Sequence, residues 1–186
     1  MKHIVVGISG SSGSIYGIRM LEALKGKVKS HLIISQAAKD NISRETPYTV
    51  SDVINLASYT YDNDDLTAPI SSGSFQTDGM VIIPCSIKSL SAIANSFNES
   101  LISRAADVTL KERRKLILAV RETPFHLGHL KLMTRVTEMG GVICPPIPAF
   151  YHEPETIDDL INHSIGKILD ILEIEHSLFK RWEGIK

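Results

Sequence analysis

Five short apolar runs rich in valine and isoleucine punctuate this chain: Ile4 to Ile8, Leu32 to Ile34, Met80 to Ile83, Leu116 to Val120 and Val142 to Cys144. Continuous runs of that kind, lacking the polar alternation of a half-solvated strand, belong to parallel strands covered on both faces. Helical patterns fill the intervals: Tyr16 to Leu24, Ala37 to Glu45, Asp52 to Ala57, Leu90 to Asn95, Leu127 to Met139 and Ile157 to Leu172. The chain therefore reads βαβ throughout. That order predicts an α/β fold, a three-layer αβα sandwich around a doubly wound, mainly parallel sheet with right-handed crossovers. Tyr59 to Thr77, holding Asp62-Asn-Asp-Asp65 and Ser71-Ser-Gly-Ser74, reads as the longest interruption. Loops of that length are commonly functional.

The 186 residues suffice for a single domain spanning 1–186, with a short C-terminal tail from about 175. No apolar run approaches the ~18 to 20 residues of a membrane helix. Twenty Lys and Arg against 21 Asp and Glu leave a net charge of −1, which argues against a general nucleic-acid surface, so any basic site must be local. His3-Ile-Val-Val-Gly enters a strand pattern at once, and the cytoplasm is the expected compartment. Cys85 and Cys144 each close an apolar run and are expected to be buried reduced thiols.

An open parallel sheet binds ligands beyond the carboxyl ends of its strands. The first strand ends there in Gly7-Ile-Ser-Gly-Ser-Ser-Gly13 ahead of a helix, a strand-turn-helix cradle suited to an anion. Its glycine spacing is neither G-x-G-x-x-G nor a P-loop, which disfavours dinucleotides and nucleoside triphosphates. Ser35 closes the second strand, and Ser86 and Ser89 flank Lys88 farther on. The run from Ile102 to Glu122 carries a cation-studded helix into an apolar strand. Arg104 and Lys111, two helical turns apart, share a face, while Arg121 and Glu122 emerge at the strand's carboxyl end. Such a charge run also suits a solvated helix end. His126 and His129 stand three apart with no third ligand in register, so no metal site is expected.

Four segments, Gly7 to Gly13, Ile83-Pro-Cys-Ser-Ile-Lys-Ser-Leu-Ser-Ala-Ile-Ala94, Ile102 to Glu122 and Pro145-Pro-Ile-Pro-Ala-Phe-Tyr151, closely resemble the UbiX-type flavin prenyltransferases. That resemblance implies a Rossmann-like, flavodoxin-type topology and FMN bound between subunits of a homododecamer. It also implies transfer of a dimethylallyl group from dimethylallyl monophosphate to reduced FMN, at N5 and C6. The prenylated FMN would pass to a UbiD-type decarboxylase. By the same resemblance Gly10, Ser11, Ser12, Gly13, Ser35, Ser86, Ile87, Lys88, Ser89, Arg104 and Arg121 are expected at FMN, with the role of Ser11 unassigned. Lys111, Tyr151, Lys167 and Trp182 are expected at the prenyl phosphate, and Ser12, Glu45, Lys111 and Glu122 in the chemistry. An allylic phosphate ionises readily, so the protein's task is to stabilise the departing phosphate and hold the carbon against the flavin, without a divalent metal. Two other readings remain at this stage: an FMN-dependent decarboxylase of the cysteine-decarboxylase type, and a flavodoxin-like FMN-binding electron carrier that needs no second pocket.

Overall fold

A computed structural model describes residues 1–182 and 184. Its core is a six-stranded sheet in the order β3-β2-β1-β4-β5-β6, every pair parallel. The strands are β1 (His3–Ile8), β2 (Lys29–Ile34), β3 (Tyr59–Asp62), β4 (Gly79–Cys85), β5 (Lys115–Val120) and β6 (Val142–Ile143). Seven helices connect or follow them: α1 (Ser14–Leu24), α2 (Gln36–Glu45), α3 (Val50–Ile54), α4 (Ile87–Ala94), α5 (Leu101–Lys111), α6 (Leu127–Glu138) and α7 (Ile157–Ile171). This is the expected doubly wound αβα sandwich. Strand order reverses between β1 and β4, and that reversal is where such sheets open a ligand crevice.

Alternation along each strand divides the apolar side chains between two cores. Ile4, Val6 and Ile8 pack with α1 and α7 on one face, whereas Val5, Met80, Ile82 and Leu118 pack with α4 and α5 on the other. β4 lies at the centre and is buried along its whole length, as its unbroken apolar run foretells. Truncating any of these side chains to alanine would cost about 2–5 kcal/mol.

One expectation needs correction. The long interruption opens with β3, a sheet-edge strand whose residues Tyr59-Thr-Tyr-Asp62 are mostly exposed. An edge strand of four residues needs no apolar run, so it carries none of the signal that revealed the other five. The rest of the segment is tied down by α5 and the residues after it. Arg104 Nε donates to the Ser71 carbonyl at 3.0 Å, and the Arg114 guanidinium donates to the carbonyls of Gly73 at 2.9 Å and Phe75 at 3.0 Å.

Candidate active site

At the strand-order reversal the ends of β1 and β4 are stitched together through one serine. Ser9 Oγ donates to the Pro84 carbonyl at 3.0 Å and accepts from the Ser86 amide at 2.8 Å. Beyond this stitch lies a crevice of about 590 Å³, within the size range of small-molecule sites. Gly10, Ser35, Ser86, Lys88 and Ser89, all expected at FMN, line it together. Gly10 is required by close approach, since a Cβ there would stand 2.6 Å from the Cβ of Ala37 at the start of α2.

Three helices begin at this crevice behind serine caps. Ser35 accepts from the Ala38 amide, Ser86 from the Ser89 amide and Ser100 from the Ser103 amide. Each helix start presents amides without intrahelical partners and the positive end of its dipole. The three are not equivalent. Asn63 closes α5, its carbonyl accepting from the Leu101 amide at 2.7 Å and its Oδ1 from the Ile102 amide at 3.2 Å. The starts of α2 and α4 carry Lys39 and Lys88 into the crevice, whereas Asp62, Asp64 and Glu99 lie on its wall near α5. The cationic side with two helix starts fits a phosphate monoester, and the acidic side fits hydroxyl groups; donor set and volume suit FMN.

Sequence reasoning placed the anion cradle at the start of α1, and the structure fills that position with a side chain. Glu45 Oε2 accepts from the amides of Gly13 at 2.8 Å and Ser14 at 3.2 Å. Glu45, at the end of α2, is thus brought to the turn that contains Ser12. The same turn holds Ser11, whose buried hydroxyl has no hydrogen-bond partner among the described residues and whose carbonyl accepts from Asn41. Arg121 follows β5, its amide donating to the Cys85 carbonyl at 3.0 Å, and its charge reaches Tyr16 of α1. Burial nevertheless dominates at Tyr16 and raises its phenol. Glu122 is exposed beside it, with Oε1 accepting from the Thr123 amide at 2.9 Å. Ile87 opens α4.

Tyr151 follows β6 and belongs to a second cluster. Its hydroxyl lies 2.7 Å from His163 Nε2 on α7, and its ring meets Trp182 edge-on at 6.0 Å between centroids. Lys167 stands one turn along α7 from His163 and close enough to oppose the upward push that burial exerts on the Cys144 thiol. Cys85 is fully buried, its thiol pushed up to about 12 by desolvation, and both cysteines are free. Burial disfavours the thiolate at both.

Arg104 and Lys111 do not join the crevice within one chain. They share a face of α5 as expected, but Arg104 is bonded to Ser71 and to Asp107 at 3.3 Å. Lys111 ends the helix at the opposite edge of the sheet, paired with Glu112. Crevice residues that sequence reasoning did not single out include Lys39, Asn63, Glu99 and Ser100. Only Ser100 left a trace, the Ser100/Ser103 capping pair ahead of α5.

Comparison with known proteins gives the family. A family model described as Flavoprotein matches residues 1–179. The flavin prenyltransferase UbiX of Thauera aromatica is 58% identical over 97% of this chain and 94% of its own. The chain belongs to the UbiX-type flavin prenyltransferases. A crystal structure of AnUbiX (PadA1) in complex with FMN and dimethylallyl pyrophosphate superposes with a TM-score of 0.98 at 47% identity, covering 100% of this chain and 99% of the other. A dodecameric FMN-dependent UbiX-like decarboxylase from Escherichia coli O157:H7 superposes at 0.96 with 44% identity, covering 98% of this chain and 100% of the other. The FMN-dependent cysteine decarboxylase SpaF, at 12% identity and a TM-score of 0.63 over 78% of this chain and 84% of its own, shares the fold alone. Among the described residues no helix is long and apolar enough to cross a membrane.

Proposed function

We propose that this chain is a flavin prenyltransferase that binds FMN in the crevice at the β1/β4 reversal and transfers a dimethylallyl group to it from dimethylallyl monophosphate. The observation that carries the reading is the crevice itself, where two open helix starts with Lys39 and Lys88 face an acidic wall. Ser35, Ser86, Lys88 and Ser89 hold the FMN phosphate, and Gly10 with its neighbours in the turn lets the flavin approach the backbone. Reduced FMN supplies the nucleophilic N5 and C6. Lys167 and the Tyr151 hydroxyl bind the departing phosphate, with Trp182 covering the allylic carbon. Bond formation at N5 and C6 releases the protons those atoms carry, of which one goes to the central alkene carbon of the prenyl group and the other leaves with the phosphate. Glu122, beside Arg121, and Glu45, beside the turn that holds Ser12, are the carboxylates that carry them.

The placement of Lys111 at the far end of α5 gives this reading a quaternary consequence. A cation that cannot reach its own crevice serves a neighbour's, so Lys111 enters the prenyl-phosphate site from an adjacent copy in a dodecamer. Exposed Phe97, Leu127, Ile147, Phe150 and Ile157 supply apolar surface for such an assembly. The whole chain acts as one flavoprotein unit in the cytoplasm, uses no divalent metal, binds no nucleic acid or membrane, and hands its product to a UbiD-type decarboxylase.

A decarboxylase reading has one observation in its favour, the description of the Escherichia coli relative. One experiment separates the two. Purified protein with reduced FMN and dimethylallyl monophosphate should release inorganic phosphate and yield a flavin heavier by one dimethylallyl unit, and should form no CO₂ from aromatic acids without a UbiD-type partner. Unmodified flavin together with unaided decarboxylation would replace this function with the other. Parallel assays with the pyrophosphate test the preference for the monophosphate.

A further inference from the structure

His163 is a polar side chain in an apolar setting. It is 6% exposed on α7, stacked on His152 at 4.6 Å between ring centroids, and covered by Phe179 at 4.7 Å. The covering tail is fixed in place. A Cβ on Gly166 would meet the Phe179 ring at 2.4 Å, and Arg181 binds the Asp170 carboxylate at 2.7 Å. Within this enclosure, among the described residues, the side-chain hydrogen bond of His163 Nε2 is to the Tyr151 hydroxyl at 2.7 Å. Lys167 lies four residues on, on the same helical face.

From this geometry we infer that His163 is a positioning residue whose Nε2–H donates to the Tyr151 phenol, fixing that hydroxyl beside Lys167 with its own proton free for a phosphate oxygen. The inference rests on the reading of Tyr151 as a ligand of the prenyl phosphate. A phenol oxygen accepts one hydrogen bond while donating another, so a neutral imidazole donor orients it without consuming its proton. Desolvation first, and then the neighbouring His152 and Lys167, lower the His163 pKa, which keeps the ring neutral at physiological pH. A protonated ring would add a charge beside Lys167; the neutral one adds only direction. His163 touches neither flavin nor prenyl group and is not a catalytic residue.

The test compares steady-state constants for dimethylallyl phosphate in wild type, His163→Leu, His163→Gln, His163→Glu, Tyr151→Phe and the Tyr151→Phe/His163→Leu double variant, with FMN binding as the folding control. His163→Leu should raise KM about tenfold, the worth of one hydrogen bond to a charged group, with kcat and FMN affinity little changed. Glutamine, whose amide donates, should restore KM to within about threefold, whereas glutamate, a pure acceptor, should not. In the Tyr151→Phe background His163→Leu should add nothing. An unchanged KM in His163→Leu, equal behaviour of Gln and Glu, or additivity with Tyr151→Phe overturns the positioning role while leaving Tyr151 in place. An unchanged KM in Tyr151→Phe overturns the placement of Tyr151 at the phosphate and the role of His163 with it.

Discussion

The two edges of the sheet are built from the same strands and helices, yet they use charge in opposite ways. At the carboxyl edge α1, α2, α4 and α5 begin, and their starts are partly closed by Glu45 and Asn63 and partly open between Lys39 and Lys88. Toward the amino edge helices end, and the cations there bind the chain's own carbonyls. Lys2 Nζ donates to the carbonyls of Leu172 at 2.9 Å and Glu173 at 3.0 Å, and Lys27 Nζ to that of Glu175 at 3.0 Å. Parallel strands force every crossover helix to run the same way, so the dipoles sort themselves into an anion-seeking edge and a cation-satisfied one. Lys2 and Lys27 are structural at one edge, whereas Lys39 and Lys88 are available to a ligand at the other. Among the described residues neither Lys39 nor Lys88 has a carboxylate partner.

The largest effect belongs to the crevice. Gly10→Val puts side-chain atoms where Ala37 already stands, 2.6 Å from the position of a Cβ. Such a variant has to part the β1–α1 turn from α2, and it should lose FMN while keeping its far-UV circular dichroism. Retention of FMN at wild-type affinity would move the flavin away from this wall. Lys111→Ala addresses the other edge. If the two edges meet only across subunits, the variant binds FMN normally but transfers the prenyl group about 10- to 150-fold more slowly, the equivalent of ~1.5–3 kcal/mol for one charge-assisted contact. Single-turnover rates decide it, and an unimpaired rate would leave Lys111 a solvated helix end paired with Glu112.

How legible this was differs between elements for physical reasons. β1, β2, β4 and β5 announce themselves because burial on both faces demands uninterrupted apolar runs, and their helices follow from spacing. β3 is short and exposed on the sheet edge and was invisible. In the site, Ser35 and Ser86 were readable because a hydroxyl between an apolar run and a helix is a cap. Asn63 and Lys39 were not, since their importance arises only when β3 and α2 converge on the crevice. Glu45 shows the limit most clearly. Family resemblance marked it as chemical, but only the fold reveals that its carboxylate occupies the amides at the start of α1. His163 stood in no motif, because its partner Tyr151 reaches it across the loop that precedes α7.

The smallest effect on function is expected at the amino edge and tests whether its histidine cluster is purely structural. His31 is 1% exposed, with Nε2 at 2.9 Å from His3 Nδ1 and Nδ1 at 3.0 Å from the Tyr61 hydroxyl, and its ring stacks against Tyr59 with Phe75 edge-on. Burial, and then His3, push its pKa down to about 4. The unfolded chain takes up this proton near the ordinary histidine value of about 6.5, while the native state resists it. Stability from this group is therefore complete above about pH 6.5 and is lost as pH falls toward 4, by an amount of order 3 kcal/mol, roughly 150-fold in the folding equilibrium. His31→Phe keeps the stack and removes the titration, so urea unfolding at pH 7 and pH 4.5 should show a smaller difference than in wild type. FMN affinity at pH 7 should not move, because the side-chain hydrogen bonds and ring contacts that hold this cluster together run among His3, His31, Tyr59, Tyr61 and Phe75 and not to the side chains that line the crevice. A change in FMN affinity would show that the two edges communicate through the sheet within one chain, contrary to the division drawn above.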